Sequence, residues 1–394
     1  MAPNSIMNKK IDFDYIVGFL YFSISNLSRM IFQFLGIPRE LMYGIYIIFL
    51  LIYFLKYISK IMIYDFIYYM IVIPVVAIGL SNYSSYIDSS SSVFATVILF
   101  LPSYLFFRFY DPKKLVDVFV HSQIFAMCYL LVYYVTDVRN AEHYSMDYGY
   151  WIAIPIVTFV YLFFQSKKRI YLISSIVATV TLTLAGNRGA LLLAILCILY
   201  YYLSADTGPN KSTRWTLKIL SIGMICIMLV VTSNMWLGFL AQHFGQSRTI
   251  QKMLDGDLLK SSTRDRLYAV EKVFLHDNKW GYGPLASRKL LYPHSYPHSL
   301  IYEMQLDFGV IIGGSIAIAI LFMGVCNLIK YRDKEIRLVV GYIEIMGLGS
   351  LLVSSSYYYE NYVPATIALF IMAQKLNSKR TREEDMMKTN SPQT

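Results

Sequence analysis

Apolar runs of membrane-crossing length, separated by short polar punctuation, recur along nearly the whole chain. They place candidate helices near 15–35, 41–58, 61–80, 93–110, 115–135, 148–165, 169–185, 188–204, 215–238, 306–329, 336–356 and 361–375. A helix needs about 20 apolar residues to cross the hydrocarbon core, so the pattern predicts an all-α polytopic membrane protein with about 12 transmembrane helices. Nine of these spans fall within 1–238 and three within 306–375. The long polar stretch 239–305 reads as one large outer loop with short amphipathic helices, and 376–394 as a polar tail.

Composition excludes the soluble alternatives. Of 394 residues 56% are apolar and 15% charged, with a mean hydropathy of +0.48, whereas a soluble domain would be about a quarter charged. The four cysteines, Cys128, Cys197, Cys226 and Cys326, all sit in apolar runs and offer no disulfide framework. Lys9 and Lys10 precede the first apolar run, and no small-residue cleavage site follows, so that run is expected to remain as the first helix. A net charge of +10 raises the question of nucleic acid. The basic residues are scattered through short loops rather than gathered on one polar face, and no nucleic-acid partner is expected.

Their placement has a simpler cause. Connections such as 56–60, 108–114 and 167–169 carry Lys and Arg, whereas SNYSSYIDSSSS at 81–92 carries none. This alternation puts the basic loops inside and predicts cytoplasmic N- and C-termini. The loop 239–305 then lies outside, although it collects Arg248, Lys252, Lys260, Arg264, Arg266, Lys272, Lys279, Arg288 and Lys289. Long loops translocate largely regardless of charge, so the excess points to an anionic ligand on the outer face. Of the six histidines, His243, His276, His294 and His298 are also here.

Within this loop, RDRLYAVEKVFL at 264–275 has helical apolar spacing and predicts a short amphipathic helix at the membrane surface. WGYGP at 280–284 forces a turn. YPHSYPHS at 292–299 leads into IYEMQL, which reads as helix with Pro297 near its start. His298 would lie at that helix N-terminus, where the dipole disfavours protonation and suits the ring to act as a base.

Two stretches carry a family resemblance. One is TLTLAGNRGALLLAILCILY at 181–200, with Arg188-Gly189 at a helix break. The other runs from Arg264, four residues before Tyr268, through Gly281-x-Gly283 to His298-Ser299, nine residues and Gly309. In order and spacing they resemble the bacterial O-antigen polymerase and O-antigen ligase superfamily. Two departures are visible: Tyr268 stands where the family often has Trp, and Ile312 where the ligase pattern usually wants a small residue or Tyr, with Gly313 one place later.

The resemblance implies a glycosyltransferase of the bacterial inner membrane, its active site facing the periplasm. It implies undecaprenyl-pyrophosphate-linked oligosaccharide as donor, and as acceptor either another lipid-linked repeat unit (polymerase) or the lipid A core (ligase). Membrane lipids are implied partners, with room for a chain-length regulator protein. Neither cofactor nor metal is called for. The expected chemistry is displacement of pyrophosphate at an anomeric carbon by a sugar hydroxyl, with inversion. Arg188 and Arg264 would clamp the pyrophosphate, since a guanidinium binds phosphate oxygens bidentately and stays charged. His298 would take the hydroxyl proton. Arg266, Arg288, Gly189, Tyr268 and His294 complete the expected substrate-binding set, and His294 shares the Pro-His-Ser context of His298. The polymerase is the favoured reading, the ligase the alternative, and a lipid-linked sugar flippase the rival from another class.

Blander explanations compete at single positions. Arg188 and Arg29 could snorkel to headgroups, and one of Arg264 and Arg266 could be a headgroup contact. Asp255-Gly-Asp257 resembles a metal-binding acid pair, but such spacing is common in loops. Glu344 lies within an apolar span and is a functional suspect. SSSYYYENY at 354–362 would either stack on sugar rings or form an interfacial aromatic belt.

Overall fold

The structure is a computed structural model that describes residues 11–83, 86, 99–138, 146–185, 187–204, 216–224, 228, 238–239, 242, 251, 254–255, 262–292, 297–331, 336–358 and 360–374. Among these residues all regular elements are helical, with no strand. Six helices are long and apolar enough to cross a membrane: Phe13–Leu35, Arg39–Lys60, Ile63–Tyr83, Lys114–Asp137, Tyr148–Ser166 and Val310–Lys330. Arg169–Ala185, Arg188–Ser204 and Tyr362–Gln374 are shorter apolar helices. Helix limits follow local chemistry. Asp12 caps the first helix by accepting from Tyr15 N at 2.9 Å, and Gly36 ends it at φ 68° with its N–H on Phe32 O.

Two predicted spans are modified. The run expected from 306 begins as a span only at Val310, because Gly309 (φ 89°) separates it from a helix over Leu300–Phe308. The run 336–356 is helical over Arg337–Gly341 and Leu348–Val353, joined by a π turn, Tyr342–Gly347. In the 93–110 run the described residues 99–110 include the helix Leu101–Phe109, with proline in its first turn, and 93–98 lie outside the described residues. Much of 215–238 and the tail 376–394 lie outside the described residues.

The chain divides into two compact units, each assembled from three sequence segments. The first comprises Met1–Tyr46, Pro112–Ser262 and Lys334–Met346. Here Met146–Ser166 packs on Arg169–Ala185 and Arg188–Ser204, and Phe13–Leu35 packs on Pro112–Tyr133. Phe22, Phe119 and Tyr342 meet at centroid separations of 4.9 to 6.3 Å.

The second comprises Ile47–Asp111, Thr263–Asp333 and Gly347–Thr394. Its apolar core gathers Val76, Leu285, Leu300, Met304, Ile320 and Leu351. The Leu300–Phe308 helix folds back on Val310–Lys330 so closely that a Cβ on Gly313 would lie 1.9 Å from Met304 O.

Candidate functional site

In the first unit, Asn187 opens the helix that carries Arg188. Its Oδ1 accepts from Ala190 N at 3.1 Å, an N-cap bond that explains the asparagine in Asn-Arg-Gly. Arg188 is the first helical residue and half-buried. The close approach at Gly189 is made by the protein itself, since a Cβ there would lie 2.8 Å from Tyr150 Oη. Arg29, a snorkelling candidate, lies 3.8 Å above the Trp151 ring, and Glu344 is buried in the π turn.

The remaining motif residues belong to the second unit. Arg264 lies in the first turn of the Ser262–Asp277 helix, Arg266 is exposed, and Tyr268 stacks on Tyr302 of the Leu300–Phe308 helix at 5.1 Å. His294 and Asp257 lie outside the described residues, and Asp255 is exposed.

The Gly-x-Gly turn is fastened to the same helix. Tyr282 N donates to Leu306 O at 2.8 Å, Gly283 N to Asp307 O at 2.9 Å, and Val310 N to Lys279 O at 2.9 Å. The motif glycines are required by this crossing. A Cβ on Gly281 would sit 2.3 Å from Gly309 N, a Cβ on Gly309 2.7 Å from the Trp280 carbonyl, and both have positive φ.

Immediately after the turn, Leu285 is held at φ 64° and fully buried, and its N–H donates to Asp307 Oδ2 at 2.9 Å. Ser287 N donates to the other carboxylate oxygen at 3.2 Å, and Tyr357 Oη to Oδ2 at 2.8 Å. One turn earlier on the helix, Glu303 takes Arg288 Nη2 at 3.3 Å, Tyr357 N at 3.2 Å and the Ser356 hydroxyl. Arg288 also donates to Ser356 and is wholly buried. The cation expected to meet substrate is therefore engaged with the protein's own acids.

Glu271, on the Ser262–Asp277 helix, is also fully buried, and among the described residues neither of its carboxyl oxygens has a hydrogen-bond partner. Burial, reinforced by the negative charge of Glu303, raises its pKa to about 8. Burial raises Glu303 to about 7, with Arg288 opposing the shift, and Asp307 to about 6, with the Tyr357 hydroxyl as the largest opposing influence. Burial thus favours the protonated form most strongly at Glu271 and least at Asp307, which accepts three hydrogen bonds.

His298 precedes the N-cap Ser299, at φ 59°, a backbone region costly for a residue with a Cβ. Its Nδ1 lies 3.1 Å from Ser354 O. A carbonyl only accepts, so Nδ1 carries the hydrogen and Nε2 the lone pair of the neutral ring. This tautomer is the one a base acting through Nε2 requires.

Beside these polar groups is an apolar cavity of about 370 Å³, whose walls include Leu285, Met304, Phe308, Ile320 and Tyr357. Leu285 and Tyr357 thus face the cavity while bonding Asp307 through polar atoms.

Sequence reasoning singled out Arg288, His298 and the stretch 354–362 that holds Ser356 and Tyr357, and passed over Glu271, Glu303 and Asp307 as site residues. Only the i, i+4 spacing of Glu303 and Asp307, which puts both on one helix face, signalled a shared site. Compared with protein-family models and with curated proteins, the chain gives no match.

Proposed function

We propose that this chain is an integral inner-membrane glycosyltransferase that joins undecaprenyl-pyrophosphate-linked repeat units on the periplasmic face, an O-antigen-type polymerase. In this reading about 12 helices span the membrane, both termini are cytoplasmic, and residues 239–305 face outward. The observation that carries the proposal is the adjoining of opposite chemistries at the Leu300–Phe308 helix. An apolar cavity shares Leu285 and Tyr357 with a buried charged cluster, and the same helix follows the His298-Ser299 pair and ends at Gly309. The apolar cavity suits an isoprenoid tail, and the polar groups beside it suit a sugar-bearing head.

The resemblance supplies the reaction. A hydroxyl of the acceptor sugar loses its proton to His298 Nε2 and attacks the anomeric carbon, and the bond to the pyrophosphate oxygen breaks with inversion. Arg264 takes the charge that develops on the leaving pyrophosphate, the role that the family resemblance also implies for Arg188. Positioned cations of this kind contribute about 3–4 kcal/mol to a transition state. Arg288 acts one step back, holding Glu303 and the 354–358 turn whose Ser354 carbonyl sets the His298 tautomer.

The test is a host lacking the gene, complemented with wild type, Arg188→Ala, Arg264→Ala or His298→Ala at matched expression. Single-repeat lipopolysaccharide in the deletion and in all three variants is the expected result. Bare core with polymer accumulating on the lipid carrier would replace the polymerase by a ligase. Full ladders from the three variants would remove the assigned residues from the reaction.

A further inference from the structure

The first unit contains a second cavity, of about 320 Å³, at the end of the Arg188–Ser204 helix opposite Arg188. The two ends are separated by about 24 Å along the helix axis. Its walls include three cations, Lys167, Lys218 and Arg337, and among the described lining residues there is no carboxylate. The polar remainder is Gln165 and Ser204, and the aromatic part includes Phe164 and Tyr202.

Each cation is placed by a specific contact. Lys167 ends the Met146–Ser166 helix at φ 57°, with its N–H on Phe163 O at 2.8 Å. Its ammonium lies 5.4 Å from the Phe164 ring centroid. Lys218 donates to Tyr202 O and lies 4.9 Å from that ring, and Arg337 donates to Ser204 O. Two of the three satisfy carbonyls at a helix C-terminus, which alone would be ordinary capping. Lys167 caps no carbonyl through its side chain, has an αL backbone that favours glycine, and lines the same cavity.

We infer that this cavity binds a phosphate-bearing anion at the membrane boundary, held by Lys167, Lys218 and Arg337. The span Tyr148–Ser166 ends at its rim, which is the depth of a lipid phosphate. The two carbonyl contacts hold Lys218 and Arg337 in position before a ligand arrives, the aromatic rings limit water, and Gln165 and Ser204 suit a hydroxylated headgroup. An acidic phospholipid and free inorganic phosphate present the same chemistry. The site is independent of the proposed glycosyl transfer.

The test uses the full-length protein in neutral detergent, with its unfolding temperature followed while phosphatidylglycerol, phosphatidylcholine or inorganic phosphate is added. A ligand that binds only the folded state raises that temperature. Stabilisation by phosphatidylglycerol above phosphatidylcholine identifies a lipid as the source, and stabilisation by inorganic phosphate a soluble anion. Lys167→Gln leaves both carbonyl contacts intact and is expected to weaken binding about fivefold, the effect of one interfacial charge. Lys272→Gln, outside the cavity, is expected to match wild type. Response to neither anion beyond phosphatidylcholine, or an undiminished response in Lys167→Gln, would overturn the proposal.

Discussion

In the first unit the buried hydroxyls of Ser23, Thr158, Ser175 and Thr181 each donate to a carbonyl three or four residues back in their own helix. In the second, buried Asp65 meets Arg108 at 3.4 Å and Tyr104, while Arg288, Glu303 and Asp307 bond across three chain segments. The hydroxyl bonds form as soon as a helix forms and require no tertiary partner. The charged groups are satisfied only after distant segments have met, and taking each ion out of water costs several kcal/mol. The difference therefore makes the second unit the one whose buried charges depend on tertiary assembly.

The comparison breaks most sharply at Arg288. Arg288→Ala leaves Glu303 buried without its cation and is expected to cost about 3–5 kcal/mol, read as a fall in the unfolding temperature in detergent. A change below about 1 kcal/mol would mean that the pair is solvated. His298→Gln is expected to lower polymer formation by about 10²–10⁴ with unchanged thermal stability, measured as repeat units transferred per enzyme. Loss of stability in parallel would assign the ring a packing role.

Gly309→Ala forces a Cβ onto the Trp280 carbonyl at positive φ and is expected to destabilise by about 1–3 kcal/mol. Glu271 supplies a pH test. Its folded pKa, about 8, exceeds the unfolded value of about 4.3. The folded state therefore binds more protons between those limits, and its stability falls as pH rises through them. Glu271→Gln should flatten that decline and unfold roughly 2 °C above wild type at pH 8, whereas parallel curves would show Glu271 already ionised. Ser175→Ala in the first unit is the smallest case, expected within about 0.5 kcal/mol of wild type.

Much of the helical frame was legible in the pattern, because a run such as 13–35 or 310–330 is too apolar for any other element. The interruption at Gly309 was hidden because apolar residues continue across it and hydropathy is blind to φ. The motif glycines Gly281 and Gly309 were visible as a spacing. Their reason, a backbone crossing, was visible only in three dimensions. The acids Glu271 and Glu303 escaped notice for the same cause: in a polar loop a carboxylate reads as solvated, and burial is a property of the assembled segments.

The π turn at Tyr342–Gly347 has a genetic corollary. A wide turn of this kind accommodates an extra residue without breaking the helix, so the faces on either side are out of phase by about 100°, the angle of one residue. A one-codon deletion inside the turn would restore an unbroken α-helix and rotate Leu348–Val353 by that angle, carrying buried Leu348 and Leu351 off the core. In-frame loss of a single codon should cost more than a conservative substitution at the same position, and a deletion scan of those six codons would show it as a sharp local minimum in fitness.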